Sequence, residues 1–288
     1  MPQFTDCHSG AFPLSQSQLN IWRLEKAYDQ TPLNNICCVL NVTGTVDLPA
    51  LRNAAERAIL DAPACRLRVF EQNGVPMQYE NTDALIDIPV YDFQASMDGA
   101  AKWALAMASS PIKTLDAPLF RAAVFRSSAR CGGVLFCAHH LISDAWSQGL
   151  LMRAIAENYH CLLHGGACEK KQAPSYRAHV EDELAYLSSP RFETDQAYWR
   201  GQIEGLHIAQ RAQAGVSPVG RRLSLETPAL LNRLLSVYCE KERLSPFLLF
   251  LAALLIYEKR VRGVERRGVC SRSSSPPRYG KPGRKPSI

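Results

Sequence analysis

The sequence predicts a mixed α/β fold, on three observations. Segments with apolar residues at helical spacing alternate along the chain with short runs rich in β-branched and aromatic residues. Hydrophobic residues make up 47% and charged residues 21% of the 288, an ordinary balance for a globular protein. No internal repeat interrupts the alternation, and the length accommodates one large domain or two lobes, each with its own core.

The elements follow in order. "LSQSQLNIWRLEKAY" has helical spacing and starts near Leu14 or Ser15, and "NNICCVLNVTG" reads as a strand. "DLPALRNAAERAIL" is a helix capped by Asp47, with Pro49 tolerated in its first turn. "CRLRVFEQNGVPMQYE" is a hairpin, because Asn73-Gly74 supplies the positive φ angles of a tight turn. A helix around "GAAKWALAMASS" precedes a second strand pair, "LFRAAVFR" and "GGVLFCAHH", joined by "SSARCGG". In the next helix Leu150, Leu151, Ala154, Ile155, Tyr159, Leu162 and Leu163 share one face, and Gly165-Gly166 stops it. Two polar helices occupy residues 175–206 on either side of Pro190, "RRLSLE" alternates like a short strand, and "TPALLNRLLSVYCEKE" and "SPFLLFLAALLIYEKR" are helices. The longest apolar run, residues 247–257, is too short to span a membrane and reads as a buried helix.

Several function classes drop out. The first 18 residues show no basic stretch followed by an apolar one, so no secretion signal is read and a cytoplasmic location is expected. The ten cysteines sit mostly in apolar segments and are expected to be reduced, buried thiols. No CxxC occurs, and "CLLHGGAC" (Cys161, His164, Cys168) matches no usual zinc spacing, so no metal is expected. The net charge of +6 is unevenly spread: residues 259–288 hold ten Lys or Arg and one acid, leaving residues 1–258 with 23 basic and 26 acidic side chains. That slightly acidic body gives no sign of a nucleic-acid or membrane partner.

Chemistry concentrates in "FCAHHLISDAWSQGLL", residues 136–151. Histidine is the commonest side chain in proton transfer. Strand alternation puts Phe136, Ala138 and His140 on one face and Leu135, Cys137 and His139 on the other, so the two histidines cannot be equivalent ligands of one metal. Asp144 stands where the next helix opens, and as an N-cap it contributes about 1 kcal/mol. From the residues alone, both readings stand: a reactive histidine, or structural histidines followed by a helix cap.

"HHLISDAWS" resembles the HHxxxDG signature of the condensation domains of nonribosomal peptide synthetases, relatives of chloramphenicol acetyltransferase. The likeness continues in order: "LSQSQLNIWRLEK" is similar to the family's opening SxAQxRLW-type segment, and "DAPACRLRVFEQNGVPMQ" to its HExLRTRF segment, with Arg66 at the family's arginine. "APSYRAHVEDELAYL" lies where the family has its Tyr-containing helix, and "QAYWRGQIEGL" matches the "YW…L" that follows. The resemblance implies a two-lobed, chloramphenicol acetyltransferase-like α/β fold with a tunnel reached by phosphopantetheine arms on partner carrier proteins, and no directly bound cofactor. It also implies other synthetase modules as partners and amide-bond formation between a carrier-bound acyl thioester and an aminoacyl amine. His140 would face the reacting groups and His139 would pack behind it. Asp144 would pair with Arg66 to hold the loop, and Ala145 and Trp146 would give structural support.

The implied chemistry asks little of His140. The donor thioester is already activated, and the acceptor α-amine, with a reference pKa of about 7.7–8.0, is partly neutral at pH 7. A neutral imidazole that aligns the amine suffices. The family's glycine after the aspartate is Ala145, which is strained if that position needs positive φ and unstrained as the first residue of a helix.

The resemblance also implies more chain than residues 1–288 supply: a VGxPV-like strand and the elements that close the tunnel are expected after residue 257 and are not found. The division expected is residues 1–178 for a complete N-terminal lobe, 179–262 for an incomplete C-terminal lobe, and 263–288 for a basic tail, either disordered or read out of frame. Three readings follow: a condensation domain, in the starter position if its donor arrives on a separate carrier; an ester-forming or epimerising relative; or an inactive remnant with a bare apolar face at residues 247–257.

Overall fold

The structure is a computed structural model that describes residues 10–83, 85–93, 96–165, 174–205 and 223–262. The short strand β1 (Phe12–Pro13) leads into helix α1 (Gln16–Ala27). Ser15 and Gln18 form a capping box at the start of α1, each side chain satisfying the other's main-chain N–H. Strand β2 (Asn35–Thr43) precedes α2 (Leu48–Leu60), where the Asp47 carboxylate accepts from the Ala50 N–H at 2.9 Å. The hairpin of β3 (Leu67–Gln72) and β4 (Val75–Glu80) turns at Asn73 and Gly74, with φ angles of 52° and 78° as the Asn-Gly pair predicts. Cys65 and Arg66 lie outside it, in a 3₁₀ turn over Pro63–Arg66.

A three-residue strand β5 (Val90–Asp92), too short to leave a pattern, and helix α3 (Met97–Ser109) come next. Then β6 (Phe120–Ser128) and β7 (Cys131–His139) run antiparallel with only Ala129 and Arg130 between them, a tighter connection than "SSARCGG" implied. Helices α4 (Ala145–His164), α5 (Tyr176–Leu187), α6 (Pro190–Ile203), α7 (Ala229–Glu242) and α8 (Pro246–Arg262) complete the described chain. Gly165, at φ 70°, ends α4 in the left-handed conformation that glycine adopts without steric cost; Gly166 lies outside the described residues.

The strands form a three-stranded sheet in the order β1-β4-β3 and a four-stranded sheet in the order β2-β7-β6-β5. Strand β7 is central, antiparallel to both neighbours, and its residues 132–139 are all buried. Val134, Phe136 and Ala138 join the main core with Leu51, Ala55 and Ile155 from α2 and α4. Two residues of β7 leave no room for a side chain unless the strands shift: a Cβ on Gly133 would collide with the Leu40 carbonyl of β2, and one on Gly132 with the Phe125 carbonyl of β6.

Some expectations need correction. Cys37 and Cys137, directly opposite each other on β2 and β7 with Cα atoms 4.1 Å apart, are joined as a disulfide rather than left as thiols. The strands' register makes that pairing, and a separation of 100 residues hides it from local reading. Burial pushes the Cys65 thiol up to about 12 and Cys38 up to about 11, so both stay protonated at neutral pH. The buried stripe of α4 is Gln148, Leu151, Ile155 and Tyr159, whereas Leu150, Leu162 and Leu163 are exposed, because α4 meets its neighbours along a narrower line than the apolar pattern suggested. Residues 223–226 of "RRLSLE" form no strand, and Leu225 is 95% exposed: alternation without a ladder partner does not make a strand. Arg221 and Arg222 lie outside the described residues.

The 247–257 run does form a helix, within α8, but not a buried one: Phe247, Phe250, Leu254, Ile256 and Tyr257 are all exposed. Contacts divide the chain into two compact units, Met1–Ser189 and Pro190–Ile288, where the sequence reading divided it after residue 178. Helix α5 belongs with the first unit, where Glu183 accepts from the Gln16 N–H at 2.8 Å and Arg177 covers the Phe12 ring at 4.5 Å. Residues 263–288, the basic tail, lie outside the described residues, as does Cys168 of "CLLHGGAC".

The glycine constraint is testable. Gly133→Ala overpacks the β2–β7 seam and is expected to lower stability by about 1–3 kcal/mol, measured as a shift in the urea unfolding midpoint against the wild-type chain.

Candidate active site

The end of β7 is held from three directions. The main-chain N–H of His139 donates to the Leu119 carbonyl and that of His140 to the Asn34 carbonyl, each at 2.8 Å. From α1, Gln18 donates through Nε2 to the Leu141 carbonyl at 3.0 Å, while sharing a 2.9 Å hydrogen bond with buried Gln78. Leu141 and Ile142 are themselves buried, so the turn that carries His140 rests on packed side chains as well as hydrogen bonds.

His139 is 1% exposed and belongs to the core. Its Nδ1 accepts the Leu141 N–H at 3.1 Å, which leaves the proton on Nε2; that proton is donated to Glu25 Oε2, also at 3.1 Å. The same carboxylate oxygen accepts from Asn34 Nδ2 at 2.6 Å. Burial holds the His139 pKa below the ordinary histidine range, against the opposing pull of the Glu25 hydrogen bond and charge. At neutral pH the ring is uncharged and works as a fixed bracket between α1 and the turn.

His140 is half-buried and takes the other tautomer. Its Nδ1 lies 2.8 Å from the Ser143 carbonyl. A carbonyl can only accept, so Nδ1 carries a proton, and in the neutral ring the lone pair is on Nε2. The two adjacent rings thus have separate partners and opposite proton placement. His140 is the one of the pair equipped to accept a proton or hydrogen bond from outside the chain.

Asp144 caps α4. Its Oδ1 accepts the Ser147 N–H at 2.8 Å and the Ser147 hydroxyl at 2.6 Å. Burial pushes its carboxyl up, but the Ser147 hydrogen bonds, with help from His140 and the Trp146 N–H, prevail and leave it below the usual carboxylate range. The expected ion pair with Arg66 is not formed: Arg66 donates to the Leu60 carbonyl at 2.7 Å and faces Glu80 at 3.6 Å. The 3₁₀ turn over Pro63–Arg66 sends Arg66 toward the end of α2 instead. Ala145 is the first residue of α4 and is not among the residues with positive φ, so it fits without strain. The Trp146 side chain is 63% exposed, and its support comes from the main chain.

Sequence reading missed Glu25, Asn34, Gln18 and Ser143, although the first three lie in segments it had singled out for other reasons. Each acts at long range or through a main-chain atom, and neither leaves a local pattern. Among the described residues no group of three His, Cys, Asp or Glu side chains is arranged to hold a metal, and no helix is long and apolar enough to cross a membrane.

Comparison with known proteins places this arrangement. The family model described as the condensation domain matches residues 8–272. Surfactin synthase subunit 1 of Bacillus subtilis (strain 168) is 30% identical over 264 residues, covering 88% of this chain and 7% of the synthase subunit. Enterobactin synthase component F of Shigella flexneri is 25% identical over 192 residues, 65% of this chain and 15% of that protein. Among solved structures, the first condensation domain of the CDA synthetase superposes with a TM-score of 0.71 at 19% identity, covering 89% of this chain and 63% of that one. The starter condensation domain of rhizomide synthetase superposes with a TM-score of 0.63 at 24% identity, covering 68% of this chain and 48% of that one. The chain therefore spans a small part of these synthases and about half to two thirds of the solved domains.

Two measurements test the site. Asp144→Ala removes the cap and is expected to cost about 1 kcal/mol of stability, whereas Asp144→Ser retains most of it; urea midpoints at pH 7 separate the two. An unfolded histidine titrates near pH 6.5, about its reference value, and folded His139 lies lower, so the unfolded chain takes up this proton first. Its contribution to stability is intact above about pH 6.5 and declines as the pH falls below that toward the folded value. Between pH 7.5 and 5.5 the wild-type chain is expected to lose more stability than His139→Gln.

Proposed function

We propose, for a chain that belongs to the condensation-domain family, that the turn after β7 serves amide-bond formation between a carrier-bound acyl or peptidyl thioester and the amine of a carrier-bound aminoacyl group. The observation that carries this reading is the tautomer of His140: its Nδ1–H is committed to the Ser143 carbonyl, which leaves the Nε2 lone pair for a substrate N–H.

In the step, the amine nitrogen attacks the thioester carbon to form the C–N bond, the C–S bond breaks, and the sulfur leaves as the arm's thiol. The proton shed by nitrogen passes to that sulfur, with His140 Nε2 accepting the amine's hydrogen bond and taking up the proton in transit. Alignment is the larger part of the contribution, because the thioester is activated and the amine, with a reference pKa of about 7.7–8.0, is partly neutral before any base acts. Asp144 and the Glu25–His139–Asn34 group act on geometry: Asp144 sets the start of α4, and Asn34 holds the main chain at His140. Acyl and aminoacyl carrier domains, each with a phosphopantetheine arm, are the partners of this reading, and the chain itself holds no cofactor for it.

An assay with an acyl-carrier donor and an aminoacyl-carrier acceptor tests the proposal. His140→Ala is expected to lower the amide-forming rate by about 10²-fold, with thioester loading of both carriers unchanged. Equal product from wild type and His140→Ala would remove His140 from the reaction. An alcohol acceptor that outcompetes the amine would reassign the chemistry to ester formation.

A further inference from the structure

Arg66, having no part in the Asp144 cap, lines a cavity of about 350 Å³ on the first unit, together with Arg68 and Arg121. Its wall is otherwise largely apolar, with Leu60, Met107, Pro118, Phe120 and Ala122 among its residues, and exposed Asp87 contributes the one acid of the lining. The volume is in the range of small-molecule sites.

The charge inside is poorly matched. Arg68 is only 5% exposed, yet its hydrogen bonds, through Nη1 to the Cys65 and Leu67 carbonyls at 3.3 and 2.8 Å, reach no carboxylate. Arg121 donates through Nη2 to the Ser110 carbonyl and likewise has no carboxylate partner among the described residues. Arg66 alone has one, Glu80 at 3.6 Å. Burial pulls both the Arg68 and the Arg121 pKa down, the mark of cations taken from water without an anion in exchange. A guanidinium does not shed its proton at neutral pH, and burying a charge without a partner is costly. The acyl transfer proposed above is placed at His140, which does not line this cavity, and so does not account for these arginines.

We propose that this cavity is a binding site for a small organic anion, with a carboxylate or phosphate head set against Arg68 and Arg121 and an apolar body of a few carbons against Leu60, Met107 and Phe120. Guanidinium groups recognise both heads through paired N–H donors, and the apolar wall favours an alkyl or aryl body over a bare inorganic ion. Neither His140 nor Asp144 lines the cavity, so the site is separate from the turn after β7 and does not depend on the amide-forming reading.

Saturation-transfer NMR on the intact chain, which reads ligand protons, tests this with hexanoate, hexyl phosphate and the neutral control 1-hexanol. Either or both anions are expected to bind at least tenfold more tightly than hexanol, and their ratio identifies the preferred head. Arg68→Met is expected to bring the anions down to the hexanol level. Arg121→Met, at a half-exposed position, is expected to weaken them and decides the matter if Arg68→Met fails to fold. Equal binding of all three ligands, no binding by either anion, or anion binding unchanged in the folded variants would overturn the proposal.

Discussion

One carboxylate oxygen, Oε2 of Glu25, holds two groups that the rest of the site depends on: the Nε2–H of His139 and the side-chain amide of Asn34. All three residues are buried, and a buried polar group left without a partner costs about 1–3 kcal/mol, so the cluster resists rearrangement as a unit. Its reach is longer than its size, because the Asn34 carbonyl receives the His140 N–H and the other nitrogen of His139 receives the Leu141 N–H. A helix, two strand ends and the turn between β7 and α4 are thereby fixed to one another. A neutral His139 suits this work, since a charged ring in the core would need more compensation than one carboxylate already shared with an amide.

Strand β7 delivers the turn to that cluster. It is hydrogen-bonded on both edges and covered on both faces, so its end position follows from the sheet and not from loop preferences. Gly132 and Gly133 permit the close approach of β6 and β2, and the Cys37–Cys137 disulfide joins β2 and β7 two residues before His139. On the far side, the Asp144–Ser147 cap sets where α4 begins. His140 sits between two anchored ends, and its ring orientation is then settled by a single bond to the Ser143 carbonyl.

The same structure separates two kinds of arginine role that the sequence could not tell apart. Arg66 was expected to brace Asp144; instead the cap is completed locally by Ser147, and Arg66 turns to the end of α2. A serine three residues along is an easier partner for an N-cap carboxylate than a guanidinium brought from another element, since it requires no long side chain to be ordered. Released from that duty, Arg66 joins Arg68 and Arg121 around a cavity whose lining holds three arginines and one acid, Asp87.

By itself the sequence determined the elements whose signals are local: the Asn73-Gly74 turn, the Asp47 and Asp144 caps and the glycine stop of α4. It also placed the chain in the condensation-domain family, whose model matches residues 8–272. Tertiary structure alone decided the partners: Glu25 for His139, Asn34 for the main chain of His140, Ser143 for its ring, Cys37 for Cys137 and the cavity for Arg66. It also decided which apolar faces are covered, leaving Leu150 and the α8 run exposed where their patterns promised burial. The physical reason is the same in each case. A cap or a turn is closed by atoms within three or four residues, whereas a buried hydrogen bond, a disulfide or a covered face requires a second segment whose position is set by the packing of the whole sheet.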